Sequence, residues 1–122
     1  MANQHQQNET QSFRVVKLIP LTVGWAAGVP SVLWNPENEV IALTDNGAGD
    51  LTLTLAAASL VPLKILGSTI EVADANTLSL EMNIDGVPTT TVLKIVINSG
   101  ADGATETDPV AIHMLIAKVV AA

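Results

Sequence analysis

The sequence has no cysteine and no tyrosine, one phenylalanine and two tryptophans, and only 14% of its residues are charged. Without cysteine there are no disulfides, thiolate metal ligands or cysteine nucleophile, so stability has to come from packing. Five bases (Arg14, Lys17, Lys64, Lys94 and Lys118) stand singly along the chain against twelve acids, for a formal charge of -7. Binding to nucleic acid requires clustered cations that displace counterions from phosphate, and anionic membrane surfaces make the same demand; both partner classes are disfavoured. No apolar run reaches the ~20 residues of a transmembrane helix. The opening MANQHQQNETQS lacks the basic start and apolar stretch of an export signal, so a soluble chain without a leader is expected.

The chain is rich in apolar residues. Of its 122 residues 48% are hydrophobic and eight more are glycine, above the usual share for a soluble domain. With so few charges to keep a lone monomer in solution, part of the apolar surface is expected to be covered by other subunits. The length suits one core. The expected organisation is an extended, polar N-terminal arm over residues 1–12, held by a neighbouring chain, followed by a single domain over residues 13–122.

From Phe13 onward, short β-branched and apolar runs alternate with turn residues. Ser12 to Ile19 reads as a strand closed by Pro20, Leu21 to Trp25 as a second, Ser31 to Trp34 as a third and Glu39 to Thr44 as a fourth. Leu51, Leu53 and Leu55 alternate with Thr52 and Thr54, which places three leucines on one face. Ala56 to Leu60 fits a single helical turn, and Leu63 to Val72 a strand bulged at Gly67. Leu78 to Ile84 leads into Asp85-Gly86, the signature of a two-residue type I′ hairpin that would set Ile84 opposite Val87 and Leu78 opposite Leu93. Pro88 would then mark a sheet edge. In PVAIHMLIAKVVAA, Asp108-Pro109 suits a helix start, but Val110, Ile112, Ile116, Val119 and Val120 are β-branched and both faces are apolar, so a strand is expected over 109–120. Seven or eight such strands make an all-β antiparallel sandwich, of jelly-roll or immunoglobulin-like kind.

The stretch TDNGAGDLTLTL (Thr44–Leu55) has the glycines of a phosphate loop, the oxygens of a calcium loop and the turn residues of a hairpin. A phosphate loop would need a helix N-terminus and a Gly-Lys-Ser/Thr, and neither follows. A calcium site would need six to eight oxygens. Asp45, Asn46 and Asp50 fall short alone, although Asp102, Glu106 and Asp108 in the second acidic loop would add to them if the loops meet. The hairpin reading needs only positive φ at Asn46, Gly47 and Gly49. Catalytic patterns are absent: His113 lies in an apolar strand, as packed or interface histidines do, His5 lies in the arm, and Glu37 and Glu39 read as a solvated acidic loop. Neither an enzyme nor a cofactor is expected. Trp25 and Trp34 suit core or interface anchors better than sugar-stacking platforms.

The run VIALTDNGAGDLTLTL (Val40–Leu55) and the later DPVAIHMLIAKV (Asp108–Val119) resemble small structural proteins of tailed bacteriophages, in which a strand, a D/N-G-x-G turn and an alternating strand precede a hydrophobic closing strand after an Asp-Pro. The resemblance implies a virion protein. The leading expectation is a homotrimeric capsid decoration or cement protein on the capsid surface, bound to the major capsid protein through the arm (Gln4, His5, Gln6, Gln7), Phe13, and Trp25 or Trp34. The alternative is a receptor- or glycan-binding module of a tail fibre or appendage, with the tryptophans exposed in a pocket.

Overall fold

Eight strands form in the order β1 (Arg14–Ala26), β2 (Val29–Trp34), β3 (Val40–Gly47), β4 (Asp50–Leu55), β5 (Lys64–Glu71), β6 (Leu80–Ile84), β7 (Val92–Ser99) and β8 (Ala111–Ala121). The computed structural model describes residues 13–72, 80–99 and 107–122. The strands make two four-stranded antiparallel sheets, β2-β1-β8-β5 and β3-β4-β7-β6, hereafter the first and second sheets. The chain is an all-β sandwich, and among the described residues there is no helix, including over Ala56 to Leu60.

Period-two alternation builds the core. Ile19, Leu21 and Val23 of β1 and Ile112, Met114 and Ile116 of β8 face Leu51, Leu53 and Leu55 of β4 and Leu93, Ile95 and Ile97 of β7, all of them buried. Each such side chain contributes about 1.5–3 kcal/mol by leaving water. The strand choice for the C-terminal stretch holds because β8 is flanked on both sides, by β1 and β5. The bulge expected at Gly67 is present as a register shift between Ile65 and Gly67.

Two expectations fail for identifiable reasons. Pro20 does not end a strand, since β1 runs through it and pairs with β8 from Arg14↔Ala121 to Gly24↔Ala111. Trp25 N–H donates to Val110 O at 2.9 Å and Phe13 O accepts from Ala122 N at 3.3 Å, so odd-numbered residues of β1 bond toward β8 and even-numbered ones point away. β2 covers only Thr22–Ala26. The N–H that Pro20 lacks would therefore face an open side of the sheet, where no ladder needs it.

The second failure is the Asp85-Gly86 hairpin. Gly86 has φ 76°, yet Ile84 pairs with Ile95 and Val87 is 85% exposed. Leu93, Ile95 and Ile97 fix the position of β7 in the core. A two-residue loop would leave the last two without β6 beside them, so burial overrides the local turn signal. Residues 85–91 form a longer loop that places Pro88 outside any strand. Its Thr89, Thr90 and Thr91 carbonyls accept from Leu63, Ser59 and Leu55 N–H groups. Two-residue turns occur instead at Ala27-Gly28, where both φ are positive, and at Ala48-Gly49. The Thr44–Leu55 stretch is thus a hairpin, with positive φ at Gly47 and Gly49 but not at Asn46.

Gly49 is the tightest point of that hairpin. A Cβ there would lie 2.6–2.7 Å from Thr107 O, Ile97 O and Thr107 N, because Gly49 O accepts from Ile97 N at 2.7 Å and Ile97 O accepts from Thr107 N at 2.9 Å. At Gly86, by contrast, a Cβ meets nothing within 4 Å. Gly49→Ala should therefore cost about 3 kcal/mol or more and Gly86→Ala only about 1 kcal/mol, the cost of the left-handed backbone alone. Urea denaturation of both variants checks this; equal losses would refute the steric account.

Candidate interaction face

The two outward faces of the sandwich are chemically unlike. On the second sheet, the residues opposed across β3, β4, β7 and β6 on the side away from the core include Ala42, Thr44, Thr52, Thr54, Lys94, Glu81 and Asn83, with Val92 and Val96 among them, and Ile41 is exposed at the β3 register shift. On the first sheet the outward row of β1 is Val16, Leu18, Pro20 and Thr22, set against Val119, Ala117, Leu115 and His113 of β8. Val16 and Leu18 are exposed, as are Leu66 at the β5 bulge and Leu60. Leu60 N–H donates to Val119 O at 2.8 Å, which places it beside the same strand. One half of this face is apolar and the other polar.

The polar half is centred on His113. Its cross-strand neighbours are Thr22 on β1 and Thr69 on β5. Nε2 lies 2.7 Å from Glu71 Oε1 and Nδ1 lies 3.0 Å from Thr22 Oγ1. With Nε2–H donating to the carboxylate, the neutral ring accepts from the Thr22 hydroxyl. This hydroxyl–imidazole–carboxylate chain borders a shallow depression of about 270 Å³ lined by Pro20, Gly67, Ser68, Thr69, Met114 and Leu115 as well as His113. On a flat sheet the backbone N–H groups lie in the plane of the ladder, so they do not converge above the threonine as an oxyanion site requires. The cluster holds three strands together and orients the imidazole at the surface.

At the other end of the first sheet lies an ion cluster that the sequence reading missed. β1 and β8 set Lys17 directly opposite Lys118. Lys118 continues the core-facing series of Ile112, Met114 and Ile116 and is only 3% exposed. Glu39 bridges the two lysines, accepting from Lys17 Nζ at 2.7 Å and from Lys118 Nζ at 3.0 Å. Its loop is built for this: Asn35 Nδ2 donates to Val40 O, Asn38 N to Asn35 O, and Ala56 N to the Glu39 carbonyl. Glu39 is therefore a partly buried bridge between the sheets and not part of a solvated acidic pair, and two of the singly spaced bases meet in space. A lone lysine near the end of a largely apolar strand was the available signal.

The acidic loops do meet, through Asp108 Oδ1, which accepts from Gly49 N at 2.7 Å. Asp45 Oδ1 accepts from Gly47 N at 3.1 Å. These carboxylates fasten turns, and among the described residues no group of three or more His, Asp or Glu is placed to hold a metal. Asp102 and Glu106 lie outside the described residues.

Of the expected contact residues, Phe13 and Trp34 are exposed. Trp25 packs against the core, so the two tryptophans do not share one exposed pocket. Gln4, His5, Gln6 and Gln7 lie outside the described residues. No described helix is long and apolar enough to cross a membrane. No family model, curated protein or solved structure matches the chain.

The ion cluster predicts a pH profile. The hydrogen bond from Lys17, followed by that from Lys118, holds the Glu39 carboxyl below its ordinary 4.5 against the opposing effect of burial. The same bond to Glu39 holds Lys17 above its ordinary 10.5. The Glu39 contribution is therefore complete above the unfolded value and is lost as pH falls through the depressed one. The Lys17 contribution is complete below pH 10.5 and is lost as pH rises through the raised value. Glu39→Gln should cost about 3 kcal/mol at pH 7, because Lys118 stays buried without a counter-charge, and should flatten the loss of stability between roughly pH 5 and 3. Adding Lys118→Met should recover most of that cost. Urea denaturation of both variants across pH 3–8 tests this, and an unchanged acid limb in Glu39→Gln would contradict it.

Proposed function

We propose that this chain is a virion structural protein, a capsid decoration or cement protein that binds a shell of major capsid protein and works as a homo-oligomer. The observation that carries the reading is the inequality of the two outward faces. The second sheet presents mainly threonines and charges, with Val92, Val96 and Ile41 set singly among them, whereas the first presents Val16 and Leu18 of β1, Leu66 of β5 and Leu60 of the loop beside β8. A monomer gains nothing from a large apolar face, but a protein laid onto another protein does. In this reading the first sheet faces the shell and the second faces solvent. The added buried area and links across shell subunits would resist the pressure of packaged DNA.

The alternative, a glycan-binding module of a tail fibre, is favoured by one observation, the exposed ring of Trp34. It would require polar groups converging around that ring.

Co-sedimentation with capsid shells of the virus that carries this sequence tests the proposal. Wild-type protein should pellet with the shells. Leu66→Glu, with an unchanged circular dichroism spectrum, should bind at least tenfold more weakly, and deletion of residues 1–12 should weaken binding as well. Sugars should leave tryptophan emission unchanged. Undiminished binding by Leu66→Glu, or sugar-specific quenching without shell binding, would overturn the reading.

A further inference from the structure

β1 is thirteen residues long, yet β2 covers only its last five. Over Arg14 to Leu21 the side away from β8 carries no strand among the described residues. Even-numbered residues point to that side, so Arg14, Val16 and Leu18 offer their N–H and C=O groups there and Pro20 offers its C=O alone. The open edge presents apolar side chains on both faces, Phe13 and Val15 on one and Val16 and Leu18 on the other, each about half exposed, with Arg14 and Lys17 as its charges. Natural sandwiches usually protect such an edge with a bulge, an inward charge, a proline or a short strand; in this chain the inward Lys17 is tied back to Glu39 at 2.7 Å and Pro20 stands only at the end of the segment. Here the register shift of β1 falls between Thr22 and Val23, beyond the open segment.

We infer that this edge is a self-pairing site whose occupant is a second copy of the same chain, with the two β1 strands antiparallel about a two-fold axis through Val16. The inference rests on the assembly reading above and specifies one of its contacts. The three complete donor–acceptor residues are symmetric about Val16, so a two-fold sets Val16 opposite Val16 and Arg14 opposite Leu18 of the partner, with about six backbone hydrogen bonds in phase. Pro20, lacking a donor, ends the ladder where β2 begins. The two Arg14 side chains start roughly 13 Å apart along the ladder, beyond a Debye length at physiological salt, and the two Lys17, only about 7 Å apart along it, are each paired with their own Glu39, so like charge does not oppose pairing.

Trp34, opposite Thr22 at the end of β2, stands at the far end of the open edge and adds an exposed ring to the surface covered. Together these side chains offer roughly 500 Å² per copy, or about 1,000 Å² for the pair, at the lower end of specific interfaces, which sets the expected affinity in the micromolar range. The contact joins a surface to itself and closes with two copies, so it takes the place of the three-fold arrangement expected from the sequence.

Sedimentation velocity of the full chain from about 1 to about 300 μM tests the inference in that affinity range. The wild type should pass from the monomer mass to twice that mass. Val16→Pro removes one edge N–H at the same parity as the tolerated Pro20, and Leu18→Lys puts a charge on the edge without altering the β8 ladder. Both should remain monomeric over the whole range with unchanged circular dichroism. If Val16→Pro fails to fold, Leu18→Lys alone decides the matter, together with amide exchange of the wild type, in which the Val16 and Leu18 amides should gain at least tenfold protection on concentration. A wild type that stays monomeric, amides protected independently of concentration by the chain's own arm, or an oligomer unaffected by Leu18→Lys would each overturn it. Shell binding by Leu66→Glu is read separately, so failure of the capsid reading and failure of the pairing are distinguishable.

Discussion

The ladder between β1 and β8 is the constraint on which the rest of the molecule depends. It runs without a register shift from Arg14↔Ala121 to Gly24↔Ala111. Because side chains alternate with period two, this one alignment decides every facing in the first sheet. It sends Ile19, Leu21 and Val23 inward with Ile112, Met114 and Ile116, and sets Lys17 opposite Lys118, where Glu39 can bridge them. It puts His113 beside Thr22 and turns the nitrogen of Pro20 to the open side. A slip of β8 by one residue against β1 would bring Leu115 into the core and expel Ile116.

The same ladder explains why the two sheets differ. β8 is central in the first sheet and apolar on both faces, as a strand covered on both faces would be, but only one of its faces is covered by the sandwich. β4, central in the second sheet, alternates leucine with threonine and suits a sheet with water on one side. Composition alone raised the matter of surplus apolar surface, and the topology gives much of it an address: the outer face of β1, β8 and β5, and the uncovered half of β1. The ion cluster shows the opposite strategy at the end of the core. A charge is drawn inward there and matched, which costs desolvation but fixes how the two sheets meet.

Much of the fold was legible in the sequence because its strongest signals were burial signals. Leu51, Leu53 and Leu55 and the β-branched C-terminal run led to strands that the structure contains, and the Ala48-Gly49 hairpin follows from turn residues flanked by those strands. The errors came from reading local chemistry where non-local packing decides. Asp85-Gly86 carries the residues of a tight turn, but Leu93, Ile95 and Ile97 already had places beside β4. Pro20 reads as a stop until one knows which side of the strand its nitrogen faces. Glu39, Lys17 and Lys118 lie far apart in the chain, and only the pairing of the first strand with the last brings them together. Of the candidate contacts, the exposure of Phe13 and Trp34 and the packing of a partly buried Trp25 against the core follow from strand order, which residue type does not encode.

The most direct test of the central claim, that the first sheet and its open edge carry the contacts, is hydroxyl-radical footprinting of the full chain, dilute and concentrated. The account predicts that Phe13, Val16, Leu18 and Trp34 lose reactivity on concentration, while Ile41 and Val87, exposed elsewhere on the molecule, do not change. Equal protection of Ile41 and Val87, or unchanged reactivity at all six positions, would contradict it.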